Sequence, residues 1–157
     1  MATNETKKGS KPEGPELPEG PWDRLWVQLV RSPWTSVAIV PASAGLEARD
    51  LASALARVGS DYRGRTVSFL DACGVSRASS RDMVQRVEKV DDRHGLVVAV
   101  DAPTSSQTAL LVARAADAAV VAVGLEATAL EEVRRTIELL GRDKVLGAVT
   151  VGPATTT

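Results

Sequence analysis

The chain has 157 residues, a formal net charge of −1 and 44% hydrophobic residues, and its aromatic residues are three Trp, one Tyr and one Phe. This length predicts one domain with an aliphatic core, and the near-zero charge gives no support for binding to nucleic acid or to an anionic membrane surface. The single cysteine, Cys73, excludes an internal disulfide, and no apolar run reaches the roughly 18 residues that a bilayer-spanning helix requires.

Residues 1–20 contain Lys, Glu, Gly and Pro but almost no apolar side chain. This composition predicts a disordered tail, either a linker or a partner-binding arm, and it offers no apolar segment for a secretory signal. We therefore expect a cytoplasmic protein with one folded domain over residues 21–153.

The first predicted helix, Trp22–Val30, carries two of the three tryptophans. Its apolar residues recur at i, i+3, i+4, i+7 and i+8, which places them on one face of a helix, and Pro33 accounts for its end. Trp22 and Trp26 either pack this helix against the domain or form a protein–protein patch, because tryptophan is enriched in binding hot spots.

The stretch Ser36–Val58 determines how we interpret the chain. An apolar run breaks at Pro41, and apolar residues resume with helical spacing from Leu46, which predicts a buried strand, a turn and an amphipathic helix that Gly59 ends. In a phosphate-binding fold, such a turn carries G-x-x-x-x-G-K-[ST], with the lysine on the phosphates and the hydroxyl on magnesium. Here the turn reads PASAGLEARD, which lacks that lysine–hydroxyl pair.

Four further strands alternate with three further helices. The strands are predicted at 66–70, 95–100, 118–123 and 145–151. The helices are predicted after a cap at Ser79–Asp82, after the capping box Thr104-x-x-Gln107, and from the box Thr128-x-x-Glu131 to Leu140, where Gly141 ends the last one. This alternation predicts an α/β fold, a mainly parallel five-stranded sheet with helices on both faces in a three-layer sandwich. Ligands of such sheets bind at the carboxyl ends of the strands, where Gly45, Asp71 and Asp101 fall.

The order of these elements resembles the cytoplasmic domain of the bacterial tyrosine kinases of capsule and exopolysaccharide systems. These are deviant P-loop ATPases, related to the chromosome-partitioning and septum-site-determining ATPases. Asp71-Ala72 resembles the family's first acidic motif, Asp101-Ala102-Pro103 its second, and Asp117 and residues 146–149 its later elements. The resemblance covers about residues 22–152, implies a P-loop NTPase-like fold, and likens the first helix to the family's ring-assembly helix.

The same resemblance identifies what the chain lacks. With Gly45 on the first glycine of the loop, the phosphate-lysine position falls on Ala48, the hydroxyl position on Arg49 and the second glycine on Glu47. Phosphoryl transfer depends on positioning and charge stabilisation, so we expect a pseudoenzyme that binds neither ATP nor magnesium, although Arg49 could act as a substitute cation. The residues that would then be vestigial cofactor contacts are Gly45, Arg49, Asp71 and Asp101.

Other reactive residues are few. Cys73 is expected to be a small buried or half-buried group and His94 a solvated turn residue, and one His with one Cys assembles neither a zinc site nor a Ser-His-Asp set. The only tyrosine, Tyr62, lies away from the C-terminus, which excludes the self-phosphorylated tail of the kinases.

Taken together, these features predict a non-catalytic adaptor or regulator in capsule or exopolysaccharide synthesis and export. It would dock through the Trp22–Trp26 helix and the strand ends on a membrane polysaccharide copolymerase or an active kinase paralogue, which would recruit it to the inner face of the membrane. Homo-oligomerisation stays open. Two alternatives also stay open, namely a partitioning-type ATPase relative that acts by dimerisation and an active ATP-binding enzyme with an unusual loop.

Overall fold

A computed structural model describes residues 20–63 and 66–152, which form five helices and five strands. The predicted tail therefore lies outside the described residues, apart from Gly20. In chain order, the elements are α1 (Pro21–Leu29), β1 (Ser36–Pro41), α2 (Arg49–Arg63), β2 (Val67–Asp71), α3 (Arg77–Glu88), β3 (Gly95–Ala99), α4 (Gln107–Ala115), β4 (Ala118–Gly124), α5 (Leu130–Leu140) and β5 (Val145–Val151).

The five strands form one all-parallel sheet in the order β2-β3-β1-β4-β5. The central strand β1 is buried along its whole length, as is β3 beside it. A strand that is covered on both faces has an uninterrupted apolar sequence, and this is why these runs show no alternation.

Two apolar clusters lie on opposite sides of the sheet. Ala38 and Val40 of β1 face the cluster formed with α3, α4 and α5. Val37 and Ile39 face the cluster formed with α1 and α2. The predicted parallel five-stranded sheet with helices on both faces is therefore confirmed.

The second helix does not end at Gly59, as predicted, but continues to Arg63. Gly59 lies under the indole of Trp26, and a Cβ at this position would come within 2.6 Å of the Trp26 ring. The glycine is therefore a site of close approach between α1 and α2, which the local sequence pattern does not reveal.

Three predicted helix caps are also wrong, because a different residue occupies the cap position of each helix. Ser76 caps α3 and Ser106 caps α4, each accepting a hydrogen bond from the N–H three residues further on. Thr128 does not cap α5, since its hydroxyl accepts from the N–H of Gly124 at 2.9 Å, and Glu132 accepts from the N–H of Ala129 instead. The predicted stop of α5 at Gly141 is confirmed, with φ at +97°.

Within residues 20–63 and 66–152, no helix combines the length and the apolar character needed to cross a membrane.

Candidate functional site

A cleft of about 540 Å³ lies at the carboxyl ends of the strands. It is bounded by the loop after β1, the loop after β2 and the segment between β3 and α4. The side chains and glycine that define its chemistry are Gly45, Glu47, Arg49, Cys73, Asp101 and Ser106. Three of the four predicted cofactor residues therefore line one cleft, and the fourth, Asp71, contacts Arg49 at its edge.

The loop after β1, residues 42–48, is held in place by its neighbours. The N–H of Ala42 donates to the carbonyl of Ala122 at 2.9 Å, and the Ser43 hydroxyl lies 2.8 Å from that of Thr128. Gly45 has φ at +96°, a conformation that favours glycine. These contacts tie the loop to the end of β4, and the Ser43–Thr128 pair was not anticipated from the sequence.

Ala48 is the residue at the position that resembles the phosphate lysine. Its side chain is 1% exposed and belongs to the apolar cluster beneath α1 and α2, with Leu51 and Ala52. Its carbonyl accepts the N–H of Ala52 at 2.9 Å, which begins the hydrogen bonding of α2. Position 48 therefore points into the core and not into the cleft.

Arg49 supplies the positive charge at the cleft, and it is already paired. Its Nε donates to Oδ2 of Asp71 at 2.6 Å, and its Nη1 lies 3.8 Å from Oε1 of Glu47. The hydrogen bond to Asp71 raises the pKa of Arg49. Burial alone would raise the pKa of Asp71, but the hydrogen bonds from the Cys73 N–H and from Arg49 outweigh it and lower that pKa below its usual value.

Asp101 is bound to the loop after β2. Its Oδ2 accepts the N–H of Gly74 at 2.6 Å, and Gly74 adopts a positive φ of +70°. The half-buried Cys73 lies beside this carboxylate. Burial, followed by the negative charge of Asp101, raises the pKa of Cys73 to about 12, so the group is a thiol and not a thiolate at neutral pH.

The cleft as a whole is acidic. Glu47 and Asp101 line it with two carboxylates, and its one guanidinium, Arg49, is paired with the carboxylate of Asp71 at the edge. A triphosphate entering it would meet carboxylates in place of the cation that a phosphate cradle requires. Among the residues that the structure describes, no group of three or more His, Cys, Asp or Glu side chains could hold a metal ion.

The two tryptophans proposed for partner binding lie on α1, away from this cleft. Trp26 is 1% exposed and packs edge-on against Trp34, with ring centroids 5.6 Å apart and an interplanar angle of 85°. Trp22 is partly buried against the same apolar cluster. Of the two roles predicted for it, Trp26 therefore has the first, which is to pack α1 against the domain. Its buried ring offers no surface to a partner.

His94 lies in an exposed turn before β3, with 53% of its side chain accessible, and its Nδ1 is 3.3 Å from Oδ1 of Asp91. This confirms the solvated turn residue predicted for it.

Comparison with solved structures identifies a similar fold. The crystal structure of the chimerical protein CapA2B2 matches with a TM-score of 0.59 and 14% sequence identity, over 86% of this chain and 86% of that chain. No protein-family model and no curated protein sequence matches the chain. The likeness supports the predicted α/β fold with its parallel five-stranded sheet, which is consistent with a P-loop NTPase-like fold.

Proposed function

We propose that this protein is a non-catalytic adaptor or regulator of capsule or exopolysaccharide synthesis and export. It acts through protein–protein contacts with a membrane polysaccharide copolymerase or with a catalytically active kinase paralogue, which holds it at the inner face of the membrane. The order of the acidic motifs supports the link to the capsule tyrosine kinases, and the fold likeness to CapA2B2 agrees with it.

The burial of Ala48 is the observation that carries the non-catalytic part of this proposal. A lysine on the phosphates contributes about 1.5–3 kcal/mol for a charge-assisted hydrogen bond. In this chain the equivalent position is an alanine in the core, and the adjacent cation, Arg49, is neutralised by Asp71. Such a cleft retains the shape of a nucleotide site without the charge that anchors a nucleotide.

The strand-end face supplies a surface for docking. Leu125 follows β4 and Leu130 begins α5, and they are 50% and 66% exposed. Both leucines lie at the carboxyl ends of the strands, the same end of the sheet as the acidic cleft, so this end combines apolar side chains with carboxylates. A partner segment that carries basic and apolar residues fits it, which is the composition of the cytoplasmic flanks of membrane-spanning helices.

A binding measurement with a defined partner tests this proposal. The cytoplasmic segment of a membrane polysaccharide copolymerase from the same genome is immobilised, and the full chain is titrated over it. We expect saturable binding that Leu125→Glu and Leu130→Glu each weaken by at least about tenfold, because each buries a charge in the contact. Leu111→Glu is the matched control, since Leu111 is 54% exposed on α4 and lies outside this face.

Two results would contradict the proposal. One is the absence of binding to both the copolymerase segment and an active kinase paralogue from the same genome. The other is binding that the two strand-end variants weaken no more than Leu111→Glu does.

A further inference from the structure

A groove of about 330 Å³, here the α1–β5 groove, lies on the side of the sheet that α1 and α2 cover. It coincides with a shift of register in β5, where Val145 and Gly147 pair with consecutive residues of β4. Leu146 is therefore an extra residue, as in a β-bulge, and its side chain is 36% exposed at the groove. The strand is exposed over residues 146–148, which places an uncovered apolar stretch beside α1.

Gly147 is the reason that the groove is hollow. It pairs with Val120, whose side chain belongs to the apolar cluster beneath α1 and α2, and Val149 and Val151 pack against the same cluster. Because side chains alternate along a strand, a side chain at position 147 would face this cluster too. Within residues 20–63 and 66–152, no atom beyond its chain neighbours lies within 4 Å of the place where its Cβ would be. The packing of α1 on the sheet is therefore incomplete at this point.

The helix side of the groove leads to the segment that precedes the domain. Leu25, Gln28, Leu29 and Ser32 line it at i, i+3, i+4 and i+7, so they form one stripe along the helix. The stripe leads toward the N-terminus of α1, where the chain enters at Gly20, the first residue that the structure describes. Leu25 lies about 7.5 Å from Gly20 along the helix axis, since each residue advances about 1.5 Å.

Residues 15–19, PELPE, have the composition and the reach to fill the groove. Leu17 is the only aliphatic or aromatic residue between positions 3 and 19. A residue that precedes proline favours extended conformations, and prolines stiffen a segment, so Pro15 and Pro18 reduce the entropy that docking costs. Three extended residues span about 10 Å, which lets Leu17 reach the level of Leu25 if the chain turns back at Gly20.

We infer that residues 15–19 fold back along α1 and place Leu17 in the α1–β5 groove. Leu17 packs there against Leu25 and Leu146 and fills the space that Gly147 leaves, so apolar surface on both sides is removed from water. Glu16 and Glu19 keep their charges in the solvent. The segment thereby completes the apolar layer between α1 and the sheet.

The segment before Gly20 is the occupant because it is covalently held at the end of the groove. A short tether gives it an effective concentration on the order of millimolar, whereas a second copy or a separate protein must reach the groove by diffusion. This placement of Leu17 goes beyond the proposed function and does not depend on it.

Alkylation of a thiol introduced into the groove tests the placement. Gly147→Cys is made in a Cys73→Ala background, because the open space at position 147 accepts a side chain. We expect Leu17→Asp to raise the rate of its alkylation by iodoacetamide at least about tenfold, since the thiol is covered only while the segment is docked. The matched control Glu16→Asp keeps its charge and should leave the rate unchanged. Circular dichroism checks that each variant is folded.

Disulfide trapping gives a second, independent measurement. Leu17→Cys combined with Gly147→Cys in the same background should form a disulfide within one chain under oxidised glutathione, at a rate that does not depend on protein concentration. Leu17→Cys combined with Leu111→Cys is the control, because α4 packs on the opposite side of the sheet. Its disulfide should form at least about tenfold more slowly.

Three results would overturn the inference. The first is an alkylation rate at position 147 that Leu17→Asp changes no more than Glu16→Asp does. The second is protection that grows as the protein is concentrated from about 5 µM to about 300 µM, since a second copy would then cover the groove. The third is a disulfide that forms only between chains, or no faster than in the Leu111→Cys control.

Discussion

Replacing Gly59 with alanine should destabilise this protein, although the same substitution inside a helix is ordinarily favourable by roughly 0.5–1 kcal/mol. The reason is the contact with α1. A Cβ at Gly59 would lie 2.6 Å from both Cη2 and Cζ3 of Trp26, well inside van der Waals contact. The Trp26 ring cannot move aside easily, because it is 1% exposed and packs against Trp34.

The expected magnitude follows from these two opposing effects. Overpacking a filled core costs about 1–3 kcal/mol, and the gain in helix propensity offsets part of it, so we expect a net loss of about 1–2 kcal/mol in the free energy of unfolding. Urea denaturation followed by circular dichroism at 222 nm measures it.

A double-mutant cycle isolates the cause. Trp26→Phe removes the outer carbons of the indole, so in that background Gly59→Ala should become stabilising by roughly 0.5–1 kcal/mol. If Gly59→Ala raises the stability of the wild-type chain, the packing of α1 on α2 described above is wrong.

Two further predictions concern titratable groups. Burial and the charge of Asp101 raise the pKa of Cys73 to about 12, so alkylation of Cys73 by iodoacetamide at pH 8 should be at least about 100-fold slower than that of free cysteine. Asp101→Asn should accelerate the alkylation. A rate equal to that of free cysteine would contradict the site geometry. Burial alone would raise the pKa of Asp117, but hydrogen bonds from Thr35 and Ser36 lower it. The contribution of Asp117 to the stability of the folded state is therefore present above the unfolded pKa of about 3.9, and it is lost as pH falls through the lower folded pKa. Asp117→Ala should therefore cost about 1 kcal/mol at pH 7 and progressively less below pH 4, as measured by urea unfolding across that range, and a cost that does not vary with pH would argue against this role.

The sheet could be predicted from the sequence because buried parallel strands are continuous apolar runs. The run at Val37–Val40 and the run at Gly95–Val100 both identify central strands, and the structure places them side by side. The limits of the helices were less predictable. Local rules predict that Gly59 ends a helix, but α2 continues to Arg63, and Gly59 lies within it against Trp26, 33 positions earlier in the chain.

The candidate site could be predicted in its location but not in its contacts. Strand order brings Gly45, Asp71 and Asp101 to one edge of the sheet, as the alternation of strands and helices indicated. Whether Arg49 would reach into the cleft depended on the orientation of the first turn of α2, which sequence spacing does not determine. The side-chain pair with Asp71 therefore emerges only from the structure.

The central claim is that the cleft no longer anchors a nucleotide, and calorimetric titration of the full chain with ATP and magnesium tests it most directly. We expect no saturable binding up to about 1 mM nucleotide, because Ala48 is buried and Arg49 is paired with Asp71. Saturable binding at micromolar nucleotide, lost in Arg49→Ala and kept in the control variant Arg57→Ala on the exposed side of the same helix, would contradict the account.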